Sequence, residues 1–128
     1  MNVVFDHLVL TVASIESAIN FYRDFLDMDV ISFEGGRVAL RLGDAKINLN
    51  QADHPREPHS RQPTPGSADL CFRTEVPLDT IMARAKSLGI EVVLGPVERT
   101  GARGKLDSIY VHDVDGNLIE IANERDPG

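Results

Sequence analysis

A chain of 128 residues, 42% hydrophobic and 26% charged, fits one soluble globular domain with a core of its own. Its net charge of −7 argues against sequence-independent binding to nucleic acid or to an anionic membrane surface. One cysteine, Cys71, excludes an intrachain disulfide, and the chain has neither a basic N-terminal region nor an apolar run of spanning length, so a cytoplasmic protein is expected.

Residues 3–12 are rich in β-branched side chains and predict a strand. Phe5, His7, Val9 and Thr11 share one face; Leu8, Leu10 and Val12 share the other. Ser14 is a helix N-cap with Glu16 in the first turn. Ile15, Ala18, Ile19, Tyr22, Phe25 and Leu26 then recur at helical spacing and predict an amphipathic helix. Strands follow over 28–33, 37–42 and 46–51, separated by Glu34-Gly35-Gly36 and Gly43-Asp44, so the pattern is βαβββ. Residues 52–66, with four prolines and Gly66, break the periodicity and read as a linker; they carry His54 and His59.

The pattern then begins again. A strand is predicted over 67–74, with Ser67, Asp69 and Cys71 on one face and Ala68, Leu70 and Phe72 on the other. Pro77 opens a helix whose apolar stripe is Leu78, Ile81, Met82, Ala85 and Leu88, and Gly89 ends it. A strand over 91–94, a glycine-containing loop over 96–105 with Arg99 and Arg103, and strands over 106–112 and 117–123 complete a second βαβββ unit. The chain is therefore expected to hold module one at 3–51, a linker at 52–66 and module two at 67–123.

An internal repeat lets positions be compared within the chain. His7 corresponds to Asp69, and Asn48 to Glu120. All four face away from the helices, and they point into one cavity if the two sheets curve toward each other. Glu120 stands among Leu118, Ile119, Ile121 and Ala122, where a carboxylate must be neutralised, paired, metal-bound or open to water on an edge strand. One imidazole with two carboxylates suits a divalent ion such as Mn, Ni, Fe, Zn or Mg, held by His7, Asp69 and Glu120. Such an ion with open positions acts as a Lewis acid on substrate oxygens. The plainer readings are a structural His7, an Asp69 that bonds the hydroxyl of Thr64 or Ser67, and a Cys71 in ordinary packing. Tyr110 either meets a substrate oxygen or packs half-buried. Arg99 and Arg103 either clamp an anionic substrate or remain solvated loop charges.

The run His7-Leu8-Val9-Leu10-Thr11-Val12 with Ala18-Ile19-Asn20-Phe21-Tyr22, and the run Asp113-Val114-Asp115-Gly116-Asn117-Leu118-Ile119-Glu120, resemble the opening and closing motifs of the vicinal oxygen chelate superfamily. That is the glyoxalase, bleomycin-resistance and extradiol-dioxygenase group. Residues 63–72 are similar to a small glyoxalase-domain subgroup. The resemblance spans residues 5–123 and implies an α+β fold of two βαβββ modules forming an open, cup-shaped mixed sheet with helices outside.

The resemblance also implies a divalent metal, a small-molecule substrate and homodimers, sometimes with modules exchanged. It places His7 and Glu120 at metal-ligand positions, Asp69 where His is commoner, and Asn48 where glyoxalase I enzymes use Glu. An Asn cannot serve as the proton-transferring base, and Asp69 removes one of the two His of an extradiol iron site. His54 or His59 from the loop either restores a nitrogen ligand or a base or is simply solvated. The expected function is a glyoxalase-like lyase or isomerase acting on vicinal oxygens. Glu120 and Tyr110 are its catalytic candidates, and Asn48 and Arg103 its substrate contacts. An extradiol ring-cleaving dioxygenase and a metal-free drug or metabolite binder are the alternatives.

Overall fold

The computed structural model describes residues 1–125 and divides between Ser67 and Ala68 into two compact units. In the first, β1 (His7–Val12), α1 (Ile15–Leu26), β2 (Asp29–Phe33), β3 (Arg37–Leu42) and β4 (Ala45–Gln51) follow one another. In the second the order repeats as β5 (Asp69–Arg73), α2 (Leu78–Ser87), β6 (Leu94–Thr100), β7 (Lys105–His112) and β8 (Leu118–Glu124). Each unit builds one open four-stranded mixed sheet, in the order β1-β4-β3-β2 and β5-β8-β7-β6. The first and last strands of each unit run parallel, and the other pairs are antiparallel. This is an α+β fold made of two βαβββ modules.

Local sequence sets the helix ends. The Ser14 side chain accepts the Ser17 N–H at 3.2 Å, and Asp27, at φ 53°, closes α1 in the left-handed conformation. Helix α1 packs on β2 and β4, burying Ala18, Tyr22 and Phe25, and Val12, Leu40 and Ile47 are also fully buried. Burying a side chain such as that of Phe25 contributes about 1.5–3 kcal/mol. In the second unit α2 packs on β8 through the stripe Leu78, Ile81 and Ala85, with Ile119 and Ile121 buried in the sheet.

Gln51 and Asn123, each three residues beyond the repeat-equivalent pair Asn48 and Glu120, do the same work. Gln51 Oε1 accepts the Ile15 N–H while its Nε2 donates to the Ala13 carbonyl. Asn123 Oδ1 accepts the Leu78 N–H at 3.0 Å while its Nδ2 donates to the carbonyls of Thr74 and Val76. The last strand of each module thereby satisfies a free N–H at the start of that module's helix.

Two expectations from the sequence need correction. The first strand begins at His7 and not at residue 3, because His7 pairs with Lys46 and β4 starts at Ala45. Nothing in the sheet lies opposite residues 3–5, and Val3, Val4 and Phe5 are exposed. The second concerns residues 91–105. Only Leu94 of the strand expected at 91–94 lies in β6, which runs on through Thr100, and the loop shrinks to a tight turn at 101–104. Pro96 is tolerated because β6 is the sheet edge and the register shifts between Leu94 and Val97. Gly95 is required there: its φ is 115°, and a Cβ would sit 2.5 Å from the Ser108 carbonyl oxygen.

Candidate functional site

The run Asp113–Asn117 turns the chain into β8 and fixes its register. Asp113 Oδ1 accepts the N–H groups of Asp115 and Asn117, both at 2.9 Å, and its Oδ2 accepts from the Asn117 amide at 2.8 Å. Gly116, at φ 87°, makes the tight reversal possible. Asn117, 1% exposed, then accepts the Ala68 N–H at 2.9 Å, and the Leu118 N–H donates to the Ala68 carbonyl. These bonds start β5 beside β8 so that Asp69 lies opposite Leu118 and Cys71 opposite Glu120.

Register then assembles a polar row. Cys71, Glu120, Tyr110 and Leu94 lie side by side across β5, β8, β7 and β6, and Asp69 is one row away on the same face. Glu120 is half-buried, and its Oε2 accepts a 2.6 Å hydrogen bond from the fully buried Ser108 hydroxyl. Partial burial, the charge of Glu120 and the thiol's hydrogen bond to it push the Cys71 pKa up to about 11. The thiol therefore stays protonated and acts as a donor; Cys71 is exposed on this face and not packed away as expected.

Tyr110 is half-buried and its hydroxyl accepts from Arg99 Nε at 2.9 Å, with the guanidinium 5.5 Å from the ring centroid. Arg99 stands on β6, not in a loop, and it leaves the phenolic O–H free to donate. Arg103 sits in the 101–104 turn, clear of that row, and holds Glu124 in a two-point ion pair at 2.6 and 3.2 Å. Glu124 also meets Arg73 at 3.3 Å, and the hydrogen bond from Arg103 is the main reason its carboxyl lies below the usual range.

In the first unit His7 is exposed at the start of β1, with Nδ1 2.6 Å from Asp6 Oδ1. A carboxylate only accepts, so Nδ1 carries a hydrogen, and in the neutral ring Nε2 keeps its lone pair, as in carboxylate–histidine–metal arrangements. Asn48 lies opposite Val9 on β1 and Ala39 on β3; it is 4% exposed, and among the described residues its Oδ1 has no hydrogen-bond partner. His54 is exposed and pairs with Asp53 at 2.7 Å. Ser67 donates to the Thr64 carbonyl, so its hydroxyl hydrogen is not used on Asp69.

Register thus brings Glu120, Tyr110, Cys71 and Asp69 to one face of the second sheet, and His7 and Asn48 to one face of the first. Among the described residues no three His, Cys, Asp or Glu side chains come together as a group able to hold a metal ion. Sequence reasoning did not single out Ser108 or Asn50. Alternation along β7 and β4 puts them on the same faces as Tyr110 and Asn48, which is the signal that could have found them.

A family model described as Glyoxalase/Bleomycin resistance protein/Dioxygenase superfamily matches residues 4–121. The chain is 50% identical over 117 residues to virulence protein STM3117 of Salmonella typhimurium, covering 91% of this chain and 81% of that protein. It is 46% identical over 121 residues to the glyoxalase domain-containing protein RDO1 of Mycosarcoma maydis, covering 94% and 68%. The crystal structure of the Salmonella protein matches with a TM-score of 0.93 over 98% of this chain and 99% of the other, at 47% identity. An integron cassette protein from V. cholerae matches at 0.94 and 45% identity, over 98% of each chain. With the family match running almost end to end, this chain belongs to the Glyoxalase/Bleomycin resistance protein/Dioxygenase superfamily.

Proposed function

We propose that the chain is a metal-dependent enzyme of glyoxalase-like lyase or isomerase type, acting in the cytoplasm on a small molecule with two adjacent oxygens. The observation that carries the reading is the way its two best donors are held. His7 has Nδ1 occupied by Asp6 and Nε2 available, and Glu120 is fixed by the Ser108 hydroxyl with lone pairs to spare. His7 and Glu120 would hold a divalent ion (Mn, Ni, Fe, Zn or Mg), with Asp69 as the third ligand. The bound ion would supply a Lewis acid for the substrate's oxygens.

The chain's own groups have separate work. Tyr110, its oxygen already accepting from Arg99, would donate its O–H to a substrate oxygen. Asn48 would offer its unpaired amide oxygen to a substrate hydroxyl and cannot act as the base. Arg103 would serve an anionic substrate only by exchanging Glu124 for it. The reading includes a homodimer. The family resemblance implies dimers, sometimes with modules exchanged.

Elemental analysis of wild type beside His7→Ala and Glu120→Ala tests this. Near-stoichiometric metal in wild type, lost in both variants, is the expected result. If wild type takes up none of the offered divalent ions, the enzyme reading falls. A metal-free binder then stands, which the unpaired oxygen of buried Asn48 also favours.

A further inference from the structure

Within the first unit an open cavity of about 350 Å³ is lined by Val9, Thr11, Asn50, Pro58, His59 and Ser60. Strands β1 and β4 form one side, and residues 58–60 form the other. The volume lies at the small end of the range for small-molecule pockets.

The lining contains no Asp, Glu, Lys or Arg. Asn50, on β4, is only 7% exposed and lines the cavity. Two residues earlier on the same face is Asn48, 4% exposed, with Oδ1 unpartnered among the described residues. Buried polar groups are nearly always paired, because leaving one unpaired forfeits its hydration without return. The orphaned oxygen of Asn48, on the strand face that also carries the cavity-lining Asn50, therefore points to a ligand.

The remaining lining gives the ligand's chemistry. His59 Nδ1 is 2.8 Å from the Ser60 carbonyl, which only accepts, so Nδ1 carries hydrogen, and in the neutral ring Nε2 is left as an acceptor. Thr11 brings a hydroxyl, while Val9 and Pro58 give apolar surface. A carboxylate or phosphate would meet no Lys or Arg in this lining. A hydroxyl fits, because it can donate to one of these acceptors while receiving an amide N–H.

We propose that this cavity is a recognition subsite for an uncharged, hydroxyl-bearing carbon skeleton. Asn50, Thr11 and His59 read the hydroxyl, and the subsite rejects carboxylate and phosphate. The inference rests on the reading that the chain binds a small molecule, but not on its metal.

The test titrates the ¹⁵N-labelled full chain with 4-hydroxybenzyl alcohol and, separately, with 4-hydroxybenzoate. Wild type, Asn50→Leu and Thr11→Val are compared, and metal content is measured on each. The alcohol should move the side-chain amide resonances of Asn50 and the backbone resonances of Thr11 and His59. It should bind about tenfold tighter than the benzoate, and either variant should weaken it several-fold to about tenfold, the scale of one lost hydrogen bond. Thr11→Val, nearly isosteric, keeps the test valid if Asn50→Leu folds poorly. Equal affinity for the two probes, affinity unchanged in a folded variant, or no response at these residues would overturn the subsite. Metal content reports separately: selective alcohol binding by a chain that takes up no metal would keep the subsite and sink the enzyme.

Discussion

The fully buried hydroxyl of Ser108 on β7 donates a 2.6 Å hydrogen bond to Glu120 Oε2 on β8. It reaches one pleat along the strand, since Ser108 itself is paired with Ala122 and Glu120 with Tyr110. A bond of this kind fixes which way the carboxylate faces. Ser108→Ala should weaken the affinity for a divalent ion by about 10–100-fold, the usual scale for losing an outer partner of a ligand. Isothermal titration with Mn or Zn measures it. Unchanged affinity would mean that Ser108 only packs. The same variant should lose about 1.5–3 kcal/mol in urea unfolding, because the lost bond is to a charged acceptor.

Asn117 joins the closing turn to the first strand of its own module. Its amide donates to Asp113 Oδ2 and accepts from the Ala68 N–H. Asn117→Ala removes both bonds from a position 1% exposed. A loss of about 2–4 kcal/mol is expected. Denaturant unfolding checks the size. A loss below about 1 kcal/mol would show that the backbone ladder alone sets the β5–β8 register.

Cys71 faces Glu120 in the same row, and its pKa is pushed from 9.0 to about 11 by partial burial first and by Glu120 next. In metal-free protein, alkylation by iodoacetamide should therefore stay slow at pH 8–9 and rise only toward pH 11. Glu120→Gln removes the charge and should shift the rate profile to lower pH. A folded-state pKa raised above the unfolded one means that this thiol's contribution to stability is complete below about pH 9 and is lost as pH rises through about 11. A wild-type alkylation profile centred at pH 9 or below would contradict this.

Gly95 holds the edge strand against β7 at a point where no side chain fits. Gly95→Ala must accommodate both φ 115° and a Cβ 2.5 Å from the Ser108 carbonyl oxygen. It should cost more than about 2 kcal/mol. It should also disturb Ser108, and through it Glu120. Thermal unfolding gives the first effect and metal affinity the second. A variant as stable as wild type would mean that β6 shifts freely at its bulge.

The sequence by itself determined the repeat and most of its elements, for physical reasons that are local. Helical spacing of Ala18, Tyr22 and Phe25, the Ser14 cap, and glycines at turns needing positive φ all act within a few residues. Alternation along strands fixed which face His7, Asn48, Asp69 and Glu120 share within their own modules, since strand period alone decides that. Tertiary structure decided what depends on a neighbour's register. The edge position of β6 let a strand continue past Pro96 and brought Arg99 to the Tyr110 hydroxyl. Pairing of β7 with β8 put Ser108 beside Glu120, and pairing of β5 with β8 put Cys71 there as well. Burial of the Asn48 oxygen without a partner among the described residues was equally illegible, because an amide's hydrogen bonds depend on what the fold places around it and not on its place in the chain.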